Sequence, residues 1–293
     1  MRTSVALAAA AGALLVQAAP SAKNFIYIVP DGFGVASQTM ARDYVSLLRN
    51  GENPGRPVTF QLPADKLVMG SVRTQASDNL VTDSAASATA FACGVKTYNA
   101  ALGVNDAREP VGSILEAAHL AGMKTGLVVT SVINHATPAG YSSHVSHRDS
   151  YAKIAEHQIG YTHPFGPFVD VLLGGGRCYY KPQSESGSCR SDDADLFGFA
   201  RQNSYHVMQN RSAFDAMEKG LGSVRLPFIG LFSDSHLMYE VDRSRAPERE
   251  PSLLEMAETA LNALDRATAS SDKGYFLMIE ASRIEPRRPR QRP

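Results

Sequence analysis

The chain carries no excess of charge of either sign. Its 29 Lys plus Arg residues equal its 29 Asp plus Glu residues, a balance that argues against a nucleic-acid binder, because such proteins concentrate positive charge. A bilayer-spanning stretch is missing too: the N-terminal apolar run, residues 5–16, has twelve residues, against the roughly 20 that a membrane helix needs. Cysteine is scarce. With three in 293 residues, one internal disulfide is the most the chain can form.

Among what is present, 44% of the residues are hydrophobic, enough for one large core or two modest ones. Arg2, the apolar run and then Gln17-Ala18-Ala19 read as a secretory signal over residues 1–19, with an uncleaved anchor as the alternative. Export suits the cysteines: Cys178 and Cys189 share one polar loop, where a bridge is expected in an oxidising compartment, the alternative being two free surface thiols. Cys93, flanked by Phe91, Ala92 and Gly94, is expected to be a buried free thiol. Asn210-Arg211-Ser212 is a glycosylation sequon.

Along residues 20–284, apolar runs of strand length alternate with helical patterns. Phe25-Ile26-Tyr27-Ile28-Val29 predicts a buried strand that delivers Asp31 into a glycine-rich turn. Ile114, Leu115, Ala118 and Leu120 lie on helical spacing before the strand-like residues 125–130, and further strands are expected over residues 168–173, 227–232 and 274–281. The alternation predicts an α/β fold with a mostly parallel sheet. In such sheets ligands gather at the carboxyl ends of strands. Asp31 is there as a metal ligand or as a helix cap, and His135, on the turn 131–140, as a ligand or an ordinary loop histidine. Gly174-Gly175-Gly176 reads as a tight strand exit, and the acidic cluster Asp192, Asp193, Asp195 as a solvated face.

The stretch Val81-Thr82-Asp83-Ser84-Ala85-Ala86-Ser87-Ala88-Thr89-Ala90 crowds small residues around one serine and one carboxylate. Taken alone it is either a nucleophile at a helix start or an ordinary capped helix. As a whole, however, it resembles the active-site signature of the alkaline phosphatases, and Gly94-Val95-Lys96-Thr97-Tyr98-Asn99 resembles its continuation. The resemblance implies a three-layer α/β/α sandwich, phosphate monoesters as substrates, and a homodimer in a full-length form. It further implies zinc and magnesium as cofactors. Ser84 would be the phosphorylated nucleophile and a zinc ligand, with Asp31 bridging zinc and the magnesium site. Thr137 and Glu280 would hold magnesium, and His135 fills a position that some members give to aspartate. Arg148, at the end of Ser143-His144-Val145-Ser146-His147-Arg148, would clamp phosphate with its fork, whereas His144 and His147 are read as structural.

The resemblance stops after Ile284. Where the family continues with an aspartate, spaced histidines and the remaining zinc ligands, residues 285–293 read Glu-Pro-Arg-Arg-Pro-Arg-Gln-Arg-Pro, as a shifted reading frame would. The alternative is a basic tail for acidic partners. The expected chain is thus a signal, a partial phosphatase domain over residues 20–284 and an aberrant tail, with its activity in doubt. Rival readings are a secreted, non-catalytic remnant of a phosphatase, and a related metallo-hydrolase such as a sulfatase or phosphodiesterase. A serine acyl-hydrolase is disfavoured, because Ser84 lacks the flanking glycines of a nucleophile elbow.

Overall fold

A computed structural model describes residues 22–67 and 70–284. The expected signal (1–19) and the Pro/Arg tail (285–293) lie outside the described residues.

Six strands form one sheet: β1 (Phe25–Pro30), β2 (Lys124–Val132), β3 (Val171–Gly175), β4 (His206–Met208), β5 (Phe228–Leu231) and β6 (Tyr275–Ala281). Their order is β1-β6-β2-β3-β5-β4, and every pairing is parallel, as the alternation of elements predicts. The helices are α1 (Val35–Arg49), α2 (Ser84–Cys93), α3 (Ile114–Leu120), α4 (Ala136–Ser142), α5 (Tyr151–Ile159), α6 (Leu196–Gln202), α7 (Arg211–Asp215), α8 (Glu240–Arg243) and α9 (Leu253–Thr268).

Strand side chains alternate between the two faces of the sheet, and both faces are covered. Leu127, Val129, Leu172, Ile229, Phe276 and Met278 pack with Leu115 of α3, Tyr141 of α4 and Ile159 of α5. Val128, Val171, Leu173, Phe228, Leu277 and Ile279 pack with Met256, Ala260 and Leu264 of α9. Helix, sheet and helix therefore make the three expected layers. Helix α9 starts with a capping box between Ser252 and Glu255, and the Arg211 guanidinium grips the same Glu255 carboxylate at 2.7 and 3.1 Å.

Two expectations need correction. β1 is not a buried strand: it lies at the edge of the described sheet, with Tyr27 and Val29 against the first core and Phe25, Ile26 and Ile28 exposed. A run that is apolar on both faces cannot reveal that only one face is covered. The acidic cluster, likewise, is more than a solvated face. Asp192 pairs with the wholly buried Arg190 side chain at 2.6 Å, and Asp195 caps α6 by accepting from the Gly198 amide. Cys178 and Cys189 are bridged; Cys93 is free and half-buried, its thiol pushed up to about 12 by burial. Gly176, at φ +91°, makes the tight exit from β3.

Candidate functional site

Three neighbouring strands, β1, β6 and β2, deliver their carboxyl ends to one place. Glu280 stands between Val29 and Val129 in register, and the Asp31 amide donates to the Ala281 carbonyl at 3.1 Å. Asp31 thus sits at the exit of β1 beside the exit of β6. The turn after β2 leads into α4, with His135 as its N-cap residue and Thr137 buried in its first turn.

Helix α2 faces this cluster. Its N-cap is Asp83, whose Oδ1 accepts from the Ala86 amide at 2.9 Å, and Ser84 is the first helical residue. The Ser84 hydroxyl lies 3.5 Å from Asp31 Oδ2 and is only partly buried. Small residues are required behind it because α2 packs on α4 nearly backbone to backbone. A Cβ added at Gly140 would stand 2.7 Å from Ala88 Cβ. Ala85, Ala86, Ala88 and Ala92 are all buried; the stretch is a capped helix, and its serine is partly exposed.

Arg148 reaches the same place from the segment after α4. Its Nη1 donates to Asp83 Oδ2 at 3.0 Å, and Nη2 lies 3.3 Å from His135 Nε2. Asp83 Oδ2 also accepts from the Ala100 amide at 3.0 Å. Asp31, Ser84, His135, Thr137, Arg148 and Glu280 are accordingly brought to one end of the sheet, as expected from the resemblance. Two participants escaped the sequence reading. Asp83 orients Arg148, and the motif shows it only as a cap. Ser131, in β2, donates to Glu280 Oε2 at 3.2 Å, and nothing in a strand pattern flags a hydroxyl that meets a residue 149 positions away.

Glu280 is completely buried. Burial, with the Asp31 charge adding to it, pushes its carboxyl up to about 7, and the hydrogen bond from the Ser131 hydroxyl opposes this. Its Oε1 has no hydrogen-bond partner among the described residues, nor has the Ser282 hydroxyl. A buried carboxylate oxygen left bare beside a second carboxylate is costly. A hard cation, which takes oxygen ligands, would relieve both the desolvation and the repulsion. The donor set Asp31, Thr137 and Glu280 fits magnesium. The imidazole of His135, N-cap residue of the same helix as Thr137, is a donor type that suits zinc better than magnesium.

Fold and site together define a parallel α/β protein with two neighbouring carboxylates at its strand ends and a partly exposed helix-borne serine beside them. The alkaline phosphatase family profile matches residues 22–290, and the chain belongs to that family. It is 47% identical over 265 residues to an alkaline phosphatase of Schizosaccharomyces pombe and 46% identical over 274 residues to the repressible alkaline phosphatase of Saccharomyces cerevisiae. Each alignment covers 90% of this chain and 47% of the relative, so the chain spans about half the length of these curated relatives. Among solved structures, the Thermus thermophilus alkaline phosphatase superposes with a TM-score of 0.70 at 28% identity, covering 88% of this chain and 49% of that one. The enzyme of the Antarctic bacterium TAB5 gives 0.66 at 30% identity, covering 89% and 65%.

Proposed function

We propose that this chain carries the nucleophile half of a metal-dependent phosphomonoesterase, in which Ser84 is transiently phosphorylated. The observation that carries the reading is the placement of a partly open serine hydroxyl 3.5 Å from Asp31 with an arginine fork beside it. Ser84 at the first turn of α2 also places an incoming phosphate near unpaired backbone amides. Arg148 offers donors to the phosphoryl oxygens and is kept in place by Asp83. Asp31 Oδ2 accepts from the Ser84 hydroxyl at 3.5 Å and so orients it.

Zinc would be held by Asp31 and Ser84, and magnesium by Asp31, Thr137 and Glu280, with His135 beside the latter. Bound there, such ions lower the pKa of a ligating hydroxyl and offset charge on the phosphate. Two solved variants of the TAB5 enzyme, in which a histidine is replaced by Asp or Glu, hold magnesium in a site named M3. A histidine at position 135 of this chain sets the same choice between a soft and a hard cation. The Cys178–Cys189 bridge supports an oxidising, secretory destination.

The test is to quench the protein in acid during turnover of a chromogenic phosphate monoester, with zinc and magnesium present, and map the phosphorylated peptide. Phosphate on Ser84, lost in Ser84→Ala, is the expected result. A covalent phosphate on another residue overturns the assignment. No covalent phosphate and no metal-dependent turnover would favour the non-catalytic reading.

A further inference from the structure

Behind the site, outside the residues that face it, lies a buried cluster of one carboxylate and three imidazoles. Glu116 Oε1 is 2.9 Å from His144 Nε2 and 3.1 Å from His163 Nε2, while its Oε2 accepts from the Ser113 amide at 2.6 Å. His144 Nδ1 is 2.7 Å from the Gly103 carbonyl. A carbonyl only accepts, so Nδ1 carries a proton, and the facing carboxylate asks Nε2 for a second. His163 is different: its Nδ1 accepts from the Phe165 amide at 3.3 Å, so its proton is on Nε2. The His157 Nδ1 likewise accepts, from the His144 amide at 3.3 Å.

The three atoms Glu116, His144 and His163 present are close enough together to suggest a metal site. The hydrogen bonds speak against one, because a metal needs a lone pair on each imidazole and both Nε2 atoms already point N–H groups at the carboxylate. We propose that His144 is a positioning residue held as a buried imidazolium, which ties the Gly103 loop to Glu116 and thereby sets the place of Arg148 and Asp83.

The path is short and continuous. Gly103 sits at φ +59°, where a Cβ would meet the Ser143 carbonyl at 2.2 Å and His144 Nδ1 at 2.7 Å, so the loop lies directly against the histidine. Leu102 and Val145 exchange backbone hydrogen bonds at 3.0 and 2.9 Å, and the Arg148 amide donates to the Ala100 carbonyl at 2.8 Å. The Ala100 amide in turn donates to Asp83 at 3.0 Å, the carboxylate that grips Arg148. Losing either proton from His144 releases one end of the clamp.

The surrounding charges favour the doubly protonated state. Burial lowers His144, but the Glu116 carboxylate and the Gly103 carbonyl more than offset this and raise it above an ordinary histidine. Glu116 is held far below the usual carboxylate range: burial raises it, and hydrogen bonds from His144, His163 and the Ser113 amide outweigh that. From α5, His157 is lowered to about 4, by burial first and then by Lys153, His163 and His144, with Glu156 opposing. It is therefore neutral and adds no repulsion at neutral pH. Cys93 on α2 faces Glu116 as an uncharged thiol. A raised histidine keeps its contribution at low pH and loses it as pH rises through its folded value.

The experiment is a nitrogen NMR titration of the histidine-labelled chain, with inorganic phosphate binding measured alongside by calorimetry in zinc and magnesium. At neutral pH both His144 ring nitrogens should give protonated signals, persisting above the midpoint of an ordinary histidine. Glu116→Gln should lower that midpoint, whereas Glu116→Asp should retain it. A wild-type His144 with one protonated nitrogen at neutral pH overturns the proposal, as does zinc bound stoichiometrically at His144 and His163. The link to Arg148 rests on the phosphatase reading: phosphate affinity should fall roughly 10- to 100-fold in Glu116→Gln, its decline with rising pH beginning earlier than in wild type. Equal affinity and an equal pH profile would refute the positioning role. If the wild type binds no phosphate, it is the site reading that fails, and the titration still decides the state of His144.

Discussion

Arg148 divides its fork between Asp83 and the space in front of His135, and a lysine cannot do both. A single ammonium lacks the planar fork, so it cannot address Asp83 and a phosphoryl oxygen from two separate nitrogens. Arg148→Lys should therefore lose one charge-assisted hydrogen bond, roughly 1.5–3 kcal/mol, or about 10- to 100-fold in kcat/KM for a phosphate monoester. Circular dichroism should be unchanged; a rate within twofold of wild type would remove Arg148 from the chemistry. At Glu280 the prediction concerns metal rather than rate. Replacing this buried carboxylate, whose Oε1 has no hydrogen-bond partner among the described residues, by its neutral isostere, Glu280→Gln, should raise the unfolding temperature of chelated protein. It should also abolish the rise that magnesium gives wild type, about 2.7 kcal/mol when the ion is at 100 times its Kd. Magnesium that still stabilises Glu280→Gln would disprove its role as a ligand. That Arg148 and Glu280 come to the same strand ends was legible through the family resemblance of their stretches. Asp83 and Ser131 were not, because their roles depend on which hydroxyl or guanidinium the fold brings alongside.

Between elements, the contact that matters most to the site is that of α2 with α4. The run of alanines in α2 was visible as helix-prone, but its packing reason appears only with Gly140, whose missing Cβ leaves room for Ala88. Gly140→Ala should cost about 1–3 kcal/mol through overpacking and read out as a lower urea midpoint. An unchanged midpoint would mean that the two helices can part freely. A second inter-element tie is the Arg211 grip on Glu255. Burial raises the Glu255 carboxyl, yet Arg211 and the Ser252 groups bring it down to about 2. Since the folded value lies below the unfolded one of about 4.3, its contribution is fully present above that unfolded value and disappears as pH falls toward 2. Glu255→Gln should flatten the acid side of the stability curve between those limits, and a curve as steep as wild type would assign the acid loss elsewhere. The strands β1, β2, β3, β5 and β6 and the helices α2 and α3 were readable from their patterns, whereas α1, α4, α5 and α6 were not read. The short pieces β4, α7 and α8 were missed, since three to five residues carry too little periodicity.

For the molecule as a whole, the sequence conveyed the parallel α/β class and the strand ends that carry the site, yet not the uneven covering of the sheet. β1 is as apolar as β6, but β6 has β1 and β2 on either side, whereas among the described residues β1 pairs with β6 alone. Ile26 and Ile28 project from the face opposite Tyr27 and Val29, and α1, which follows in the chain, has no buried residue among its fifteen. Val35, Met40, Tyr44 and Leu48 add to the exposed apolar surface. An exposed apolar edge strand is the kind of surface that pairs with another chain. The purified chain should accordingly show light scattering that grows with concentration. Placing a charge on the edge, as in Ile28→Lys, should suppress that scattering while changing stability by no more than about 0.5 kcal/mol, the usual range for an exposed position. Should the variant scatter as strongly as the parent, association must proceed through another surface, and the open edge of β1 is not what limits the solubility of the fold.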